Sequence, residues 1–328
     1  KISIMHKVIG IDISFKTFDV AYLDENQKWV HRKFSNNSKG FKELEKLLTQ
    51  GDWISMEASG PYYLALASYF FEKNYKVSVV NPLVIKRYSQ AMLTRAKTDK
   101  KDARIIAQYT IMHQPGQWEP ESKTNLALRQ ILTAMELVSK QIGQTTNQLH
   151  AFTASGVLDK ELRKELKKVL ASLKAREKKL EQMLMRLSFQ EYEEIIILLT
   201  SILGIGKKTA IALCVATSGF KRFNNYKQVI AYLGLSPRIY QSGTSVNGKG
   251  RICKMGNKYV RKLLYMCTLS ARRYNPGCKE MYDRLIAAGK KKKPARIAVA
   301  NKLIKQAFAV AQSGIAYSRT YDRDKIAA

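Results

Sequence analysis

Three features of the sequence predict an α/β N-terminal domain, then a long helical connector, then a mostly α C-terminal domain. β-Branched and aromatic runs alternate with amphipathic stretches over roughly the first third. A helical apolar pattern then persists from Asn125 to about Leu199, and the last third closes on two strong helical patterns. The implied divisions are 5–118, 119–195 and 196–318, with a tail at 319–328.

In order along the chain, Val8–Ser14, Thr17–Asp24 and Lys28–Ser35 read as three neighbouring strands of an antiparallel meander. "SKGFKELEKLLTQ" predicts an amphipathic helix capped by Ser38. The strand "WISMEAS", a helix with Pro61 in its first turn ("PYYLALASYFFEK") and the strand "YKVSVVNP" follow.

Leu162, Leu166, Val169, Leu173, Leu180, Met183 and Leu187 then recur at spacings of four and three, with Arg176 at the one seam position that breaks the pattern. Such heptads predict a long helix paired with another, either as an antiparallel hairpin within the chain or as a seam between protomers.

The composition points to a partner. Lys and Arg number 57 against 26 Asp and Glu, a formal charge of +31 on a chain that is 45% hydrophobic. A folded molecule with that excess favours a polyanion, because each neutralised phosphate releases condensed counterions. No apolar run approaches the ~20 residues that span a bilayer, and no signal peptide is read, so no membrane association and a cytoplasmic, nucleoid-associated setting are expected. The four cysteines form no C-x-x-C pair and predict neither a zinc knuckle nor a disulfide framework.

Candidate chemistry begins with carboxylates. Asp12 lies within the first predicted strand, where a buried acid needs a partner or a metal. Glu57 ends another strand. Asp99 and Asp102, three apart at a helix start, project from one face. Taken alone, Asp99 and Asp102 fit helix capping and dipole compensation. Together, hard oxygen ligands converging at a sheet end suit Mg²⁺ and phosphodiester displacement. The order strand Asp, strand Glu, helix Asp-x-x-Asp resembles the RuvC-like branch of the ribonuclease H fold, whose acidic tetrad coordinates two magnesium ions. That resemblance covers Val8 to Tyr109.

Two glycine-rich stretches carry the basic chemistry. In "ILGIGKKTAIAL", Gly204 and Gly206 lie between apolar helical segments and are followed by Lys207 and Lys208. This is similar to the helix-hairpin-helix pattern, in which turn amides and a helix N-terminus hold phosphate. In "SGTSVNGKG", Gly243 and the pair Gly248-Lys249 mimic a nucleotide-binding loop. Pro237 and Arg238 stand where its strand should be, Gly250 replaces the hydroxyl after the lysine, and no helix follows directly. What remains is a basic loop with Ser242, Thr244 and Ser245 among Arg238, Lys249, Arg251, Lys254 and Arg261. A serine there has cations and amides to stabilise its alkoxide and the charge building on a phosphoryl group.

Seven blocks in order carry a wider resemblance, among them "GIDISFKTFDVAYLDE", "MEASGPYYLALASYF", "TRAKTDKKDARIIAQY" and "AYLGLSPRIYQSGTSVNGKGRICKMGNKYVRKLL". The chain resembles the DEDD-type transposases of insertion-sequence family one-ten, including its eleven-eleven branch, which are bridge-RNA-guided recombinases. The resemblance implies a RuvC-like domain with the tetrad at Asp12, Glu57, Asp99 and Asp102, a coiled-coil connector and a serine-bearing C-terminal domain. It implies Ser242 as nucleophile, with Ser245 as the rival position. It also implies donor and target DNA and a noncoding bridge RNA as partners, Mg²⁺ as cofactor, and dimers that pair into tetramers. Two rivals stand beside it: a junction nuclease using water, and a non-catalytic nucleic-acid-packaging protein.

Overall fold

A computed structural model describes residues 6–93, 98–242, 246–252 and 255–318. The chain divides into two compact units, Lys1–Pro120 and Glu121–Ala328.

The first unit is built on a five-stranded sheet of order β3-β2-β1-β4-β5. Its strands are β1 (Val8–Ile13), β2 (Thr17–Leu23), β3 (Trp29–Ser35), β4 (Trp53–Glu57) and β5 (Lys76–Val80). The first three form the expected antiparallel meander, while β4 joins β1, and β5 joins β4, in parallel. Between and after them run α1 (Ser38–Glu45), α2 (Leu64–Glu72), α3 (Pro82–Ala91) and α4 (Asp99–His113).

Strand alternation gives the sheet two different faces. Ile9, Ile11, Phe18, Val20, Ile54 and Met56 are fully buried in one core with Leu44 of α1 and Leu66 and Phe70 of α2. The intervening residues of β1 and β4 face α4. There Thr110 donates to Ser55 Oγ at 2.7 Å, and Gly10 lies so close that a Cβ on it would stand 2.1 Å from the Ala103 carbonyl oxygen.

Two expected helix starts shift. Asn37, not Ser38, caps α1, accepting from the amides of Lys39 and Gly40, because its longer side chain reaches back over the first turn. Pro61 lies in the turn before α2, which begins at Leu64 without a side-chain cap.

The second unit opens with α5 (Lys123–Ala154) and α6 (Lys160–Thr200), which pack along each other as an antiparallel hairpin. Leu166, Leu173, Leu180 and Leu187 are half-buried, whereas Leu162, Val169 and Met183 are exposed, as is Arg176. Leu170 is also half-buried and Leu184 is buried, so the apolar positions of α6 divide into an inner stripe and an outer stripe at sevenfold spacing. At Tyr192, α6 departs from helical geometry (φ −135°, ψ 22°), and the buried Tyr192 hydroxyl donates to Asn125 Oδ1 at 2.9 Å.

Beyond α6 come α7 (Lys207–Thr217), α8 (Tyr226–Leu233), β6 (Pro237–Ser242), β7 (Val246–Ile252), α9 (Lys258–Tyr274), α10 (Pro276–Ala287) and α11 (Lys292–Ser313). Every residue of α7 from Thr209 to Thr217 is buried, which its apolar composition on all sides requires. The stretch expected to be a loop around Ser242 is a two-stranded antiparallel ribbon. No helix among the described residues is long and apolar enough to cross a membrane.

Candidate active site

The acids are gathered by strand register. Gly10 of β1 pairs with Ser55 of β4, and extending that parallel register by two residues brings Asp12 alongside Glu57. Both carboxylates therefore share the α4 face at the end of their strands, Asp12 as the fifth of six residues in β1. The close approach at Gly10 fixes α4 over the strand, which puts its first turn, carrying Asp99 and Asp102, above Asp12. Thr98 is the N-cap, its side chain accepting from the Lys101 amide, so neither aspartate is needed for that role.

The consequence is electrostatic. Burial pushes the Asp12 carboxyl from its ordinary 3.8 up to about 6, assisted by the charges of Asp102, Asp99, Glu57 and Asp19, in that order. Glu57 accepts a hydrogen bond from Ser59 Oγ at 2.9 Å.

Asp19 is an acid that the sequence reading missed. It pairs directly opposite Asp12 across the β1–β2 hairpin and is 5% exposed. His31 Nε2 lies 2.8 Å from its Oδ1 and Lys33 Nζ lies 3.4 Å from its Oδ2. The hairpin itself held the signal, since Asp12 and Asp19 are equally far from its turn.

Carboxylate oxygens are the donors that a hard divalent cation prefers, and a cation would offset both the burial and the acidic neighbours that disfavour the ionised form of Asp12. Among the described residues, however, no three His, Cys, Asp or Glu side chains stand close enough to hold a metal ion. The acids form an electrostatic gathering whose ligation geometry would have to tighten around the ion.

The second unit holds the basic candidates. Ser242 is the last residue of β6 and its backbone pairs with Val246 of β7. Ser245 and Lys254 lie outside the described residues. Arg238 pairs with Arg251, and Tyr240 with Gly248, on either side of a register irregularity. Gly248 is needed there, because a Cβ would stand 2.8 Å from the Tyr240 carbonyl. Lys249 lies between Gly248 and Arg251 on β7.

Arg261 of α9 is placed differently from the others: its Nη1 donates to the carbonyls of Leu233 at 2.9 Å and Met255 at 2.7 Å. That end of the guanidinium ties α8 to the segment leaving the ribbon.

Gly204 takes φ +110° and abuts Ala271 of α9, which closes the turn between α6 and α7. Gly206 is the N-cap of α7 with no side-chain cap, so the first amides of that helix lack a side-chain acceptor. Lys207 and Lys208 beside them are exposed, and Lys208 Nζ lies 3.8 Å from Glu181 Oε1.

Comparison with known proteins agrees with these two halves. A transposase family defined for the DEDD enzymes of IS110 matches residues 9–155, and "Transposase IS116/IS110/IS902 family" matches residues 197–283. The "Pilin gene-inverting protein" of Moraxella bovis is 31% identical over 327 residues, covering 96% of this chain and 97% of that protein. The protein of the same name from Moraxella lacunata is 32% identical over 326 residues, with the same coverage. An "Insertion element IS110 uncharacterized 43.6 kDa protein" of Streptomyces coelicolor is 29% identical over 119 residues, 36% of this chain and 29% of that protein. Matched in both halves and over nearly its full length, the chain belongs to the IS110 family of transposases, enzymes that recombine DNA.

Proposed function

We propose that this transposase cuts and rejoins DNA by transesterification, with Ser242 as nucleophile and Asp12, Glu57, Asp99 and Asp102 holding Mg²⁺. The observation that carries the reading is the convergence on Asp12, whose carboxyl is pushed up to about 6 by burial and by its acidic neighbours. A site that gathers negative charge at such cost is suited to a cation and, through it, to phosphate. Mg²⁺ bound there would polarise the scissile phosphate and offset the charge that develops on its oxygens.

Ser242 Oγ attacks phosphorus and gives up its proton, a phosphoserine ester forms, and the leaving sugar oxygen takes up a proton. Reversal of this step with a second strand's hydroxyl releases the serine, so bond energy is conserved and no ATP is needed. Arg238, Lys249, Arg251 and Lys254, close to the serine in sequence, supply the cations that would steady the pentacoordinate phosphorus. Gly204, Gly206, Lys207 and Lys208, in the manner of a helix-hairpin-helix, grip backbone phosphates away from the chemistry, joined by the remaining donors of Arg261.

A charge of +31 without base-reading motifs suits an enzyme whose sequence choice is delegated to a noncoding bridge RNA paired with donor and target DNA. The outer stripe of Leu162, Val169 and Met183 supports assembly of protomers through the connector, 119–195, leaving 196–318 as the catalytic C-terminal part. By likeness to the pilin gene-inverting proteins, inversion of a segment between two sites is one outcome of the same chemistry.

The test is incubation of the full chain with Mg²⁺, bridge RNA and labelled donor and target DNA, followed by denaturing gels. A protein–DNA adduct that is lost in both Ser242→Ala and Asp102→Ala supports the reading. An adduct that persists in Ser242→Ala but vanishes in Ser245→Ala moves the nucleophile. Cut ends without adduct, surviving Ser242→Ala, overturn transesterification in favour of hydrolysis.

A further inference from the structure

Two loops leave the end of the sheet that carries the acids, and each presents an aromatic ring to solvent. Phe15 lies three residues beyond Asp12 in the β1–β2 turn, and Tyr62 lies five residues beyond Glu57 after β4. The rings meet edge to face, their centroids 5.8 Å apart at 62°. Phe15 is 69% exposed and Tyr62 42%. Neither belongs to the core clusters of the first unit, and an exposed phenylalanine forgoes the burial that ordinarily stabilises one.

The two loops are held by hydrogen bonds to their backbone carbonyls. Asn36 Nδ2 donates to the carbonyls of Ser14 at 2.9 Å and Tyr62 at 3.4 Å, clamping the two loops together. The Asn36 amide donates to the Lys16 carbonyl at 2.8 Å, and Ser14 Oγ donates to the Thr17 carbonyl at 2.7 Å. With both loops clamped through one side chain, Asn36 Oδ1 is left buried without a partner. A fold that tolerates an unmatched acceptor to fix two exposed rings is organised around the rings.

We infer that Phe15 and Tyr62 form a stacking platform for one unpaired nucleobase, that of a nucleotide next to the phosphate held at the acids. The inference rests on the acid cluster being the place where that phosphate binds. Every base has a π-face, so a platform of this kind positions a strand without reading its sequence, which suits an enzyme with no base-reading motif. Exposed Lys16, adjacent to Phe15, supplies charge for the flanking backbone. The rings lie on loops that leave the acid-bearing end of the sheet, where carboxylates repel phosphate in the absence of a cation. Stacking therefore adds an attraction that does not depend on charge, at the point where charge alone would turn the strand away.

The experiment uses the full chain with bridge RNA and DNA carrying 2-aminopurine singly at each nucleotide around the cleaved phosphate, in an Asp12→Ala background. One position is expected to change in fluorescence, and the change is expected to disappear when Phe15→Leu and Tyr62→Leu are added, while Phe15→Trp retains it. In otherwise wild-type protein the same pair of leucines lowers cleavage about tenfold. An abasic nucleotide at the responsive position has a similar effect, and the two changes combined produce no further loss.

Fluorescence indifferent to the leucines, or losses that multiply, overturns the platform. So does a leucine pair that alters the protein's mass in solution, which would make the rings a protein contact. Cleavage persisting in Asp12→Ala speaks against the acid-cluster reading instead, and leaves the fluorescence result to be judged separately. Unchanged thermal melting of the leucine pair excludes misfolding as the cause of any loss.

Discussion

The acid cluster of the first unit and the serine ribbon of the second are built by opposite means. Four contacts hold β1, β2, β4 and α4 together around Asp12: the β1–β2 pairing, the parallel β1–β4 register, the close approach of Gly10 to α4, and the Thr110–Ser55 hydrogen bond. Ser242 stands at the end of a two-stranded ribbon whose described side chains Arg238, Tyr240 and Ile252 are exposed and whose partner strand carries Gly248 and Gly250. A two-stranded ribbon with few buried contacts is marginal by itself. The acids are thus held against their own repulsion by a rigid sheet, whereas the serine sits on an element stiffened little by its own packing. Under the proposed mechanism, the contrast fits a division of labour in which the acids wait in place and the proposed nucleophile, Ser242, is ordered by its substrate.

The largest effects separate chemistry from stability. Asp12→Asn and Ser242→Ala are each expected to lower strand joining by about 10³-fold or more, as removal of a reacting or charge-stabilising group does. Their melting should diverge: metal-free Asp12→Asn melts higher than the parent because a repelled carboxylate is gone, and Ser242→Ala melts unchanged. Equal melting shifts in calorimetry would break the comparison.

Glycines give the next contrast. Alanine at Gly10 would place its Cβ 2.1 Å from the Ala103 carbonyl and 2.4 Å from the Ala107 amide nitrogen, so α4 must move away from the acids. Gly10→Ala is expected to destabilise the first unit by about 3 kcal/mol in urea titration. Gly248→Ala meets the Tyr240 carbonyl at 2.8 Å on a ribbon that can yield, and about 1 kcal/mol is expected. Similar losses at the two positions would show that the ribbon is as stiff as the sheet.

Asp19→Asn probes the acid that faces Asp12. Without its charge the site attracts a cation less, while His31 and Lys33 lose their shared acceptor. Mn²⁺ affinity, followed by titration calorimetry in the absence of DNA, should fall about tenfold, the usual consequence of losing a partner behind the ligands. Asp19→Glu should recover part of that loss if the charge matters more than the exact reach.

Much of the first unit was legible because its signals are local and agree with one another. Alternating β-branched strands, a meander with short turns, and two acids at a helix start each name an element, and the parallel register then unites them. Asp19 escaped because it reads as one polar residue inside "TFDVAYL", and only pairing across the hairpin sets it opposite Asp12. The ribbon was read as a loop because Gly248 and Gly250 weaken the strand pattern, and because its alternation carries no apolar face to mark one side as buried. The heptad seam was legible as a helix but not as a contact. Residues seven apart line both the inner and the outer stripe of α6, and the sequence alone does not say which stripe α5 covers.

The smallest expected effect is a pH dependence. Asp12 is raised from 3.8 to about 6 in the folded chain, so between those values the folded state binds the proton more tightly than the unfolded one. The contribution of Asp12 to stability is therefore highest below pH 4, falls as pH rises to 6, and stays lowered above that. A two-unit shift corresponds to about 3 kcal/mol at most, and solvent screening of the partly exposed group reduces this to about 1 kcal/mol. The difference in melting temperature between the parent and Asp12→Asn should grow by a few degrees from pH 4 to pH 7 in metal-free buffer. Saturating Mg²⁺ should shrink it, because a bound cation favours the ionised carboxyl. A difference that stays constant across that range would mean that Asp12 titrates normally and that the acids are not repelling one another. The contrast between a strained acid site and an unstrained serine ribbon would then have to be abandoned.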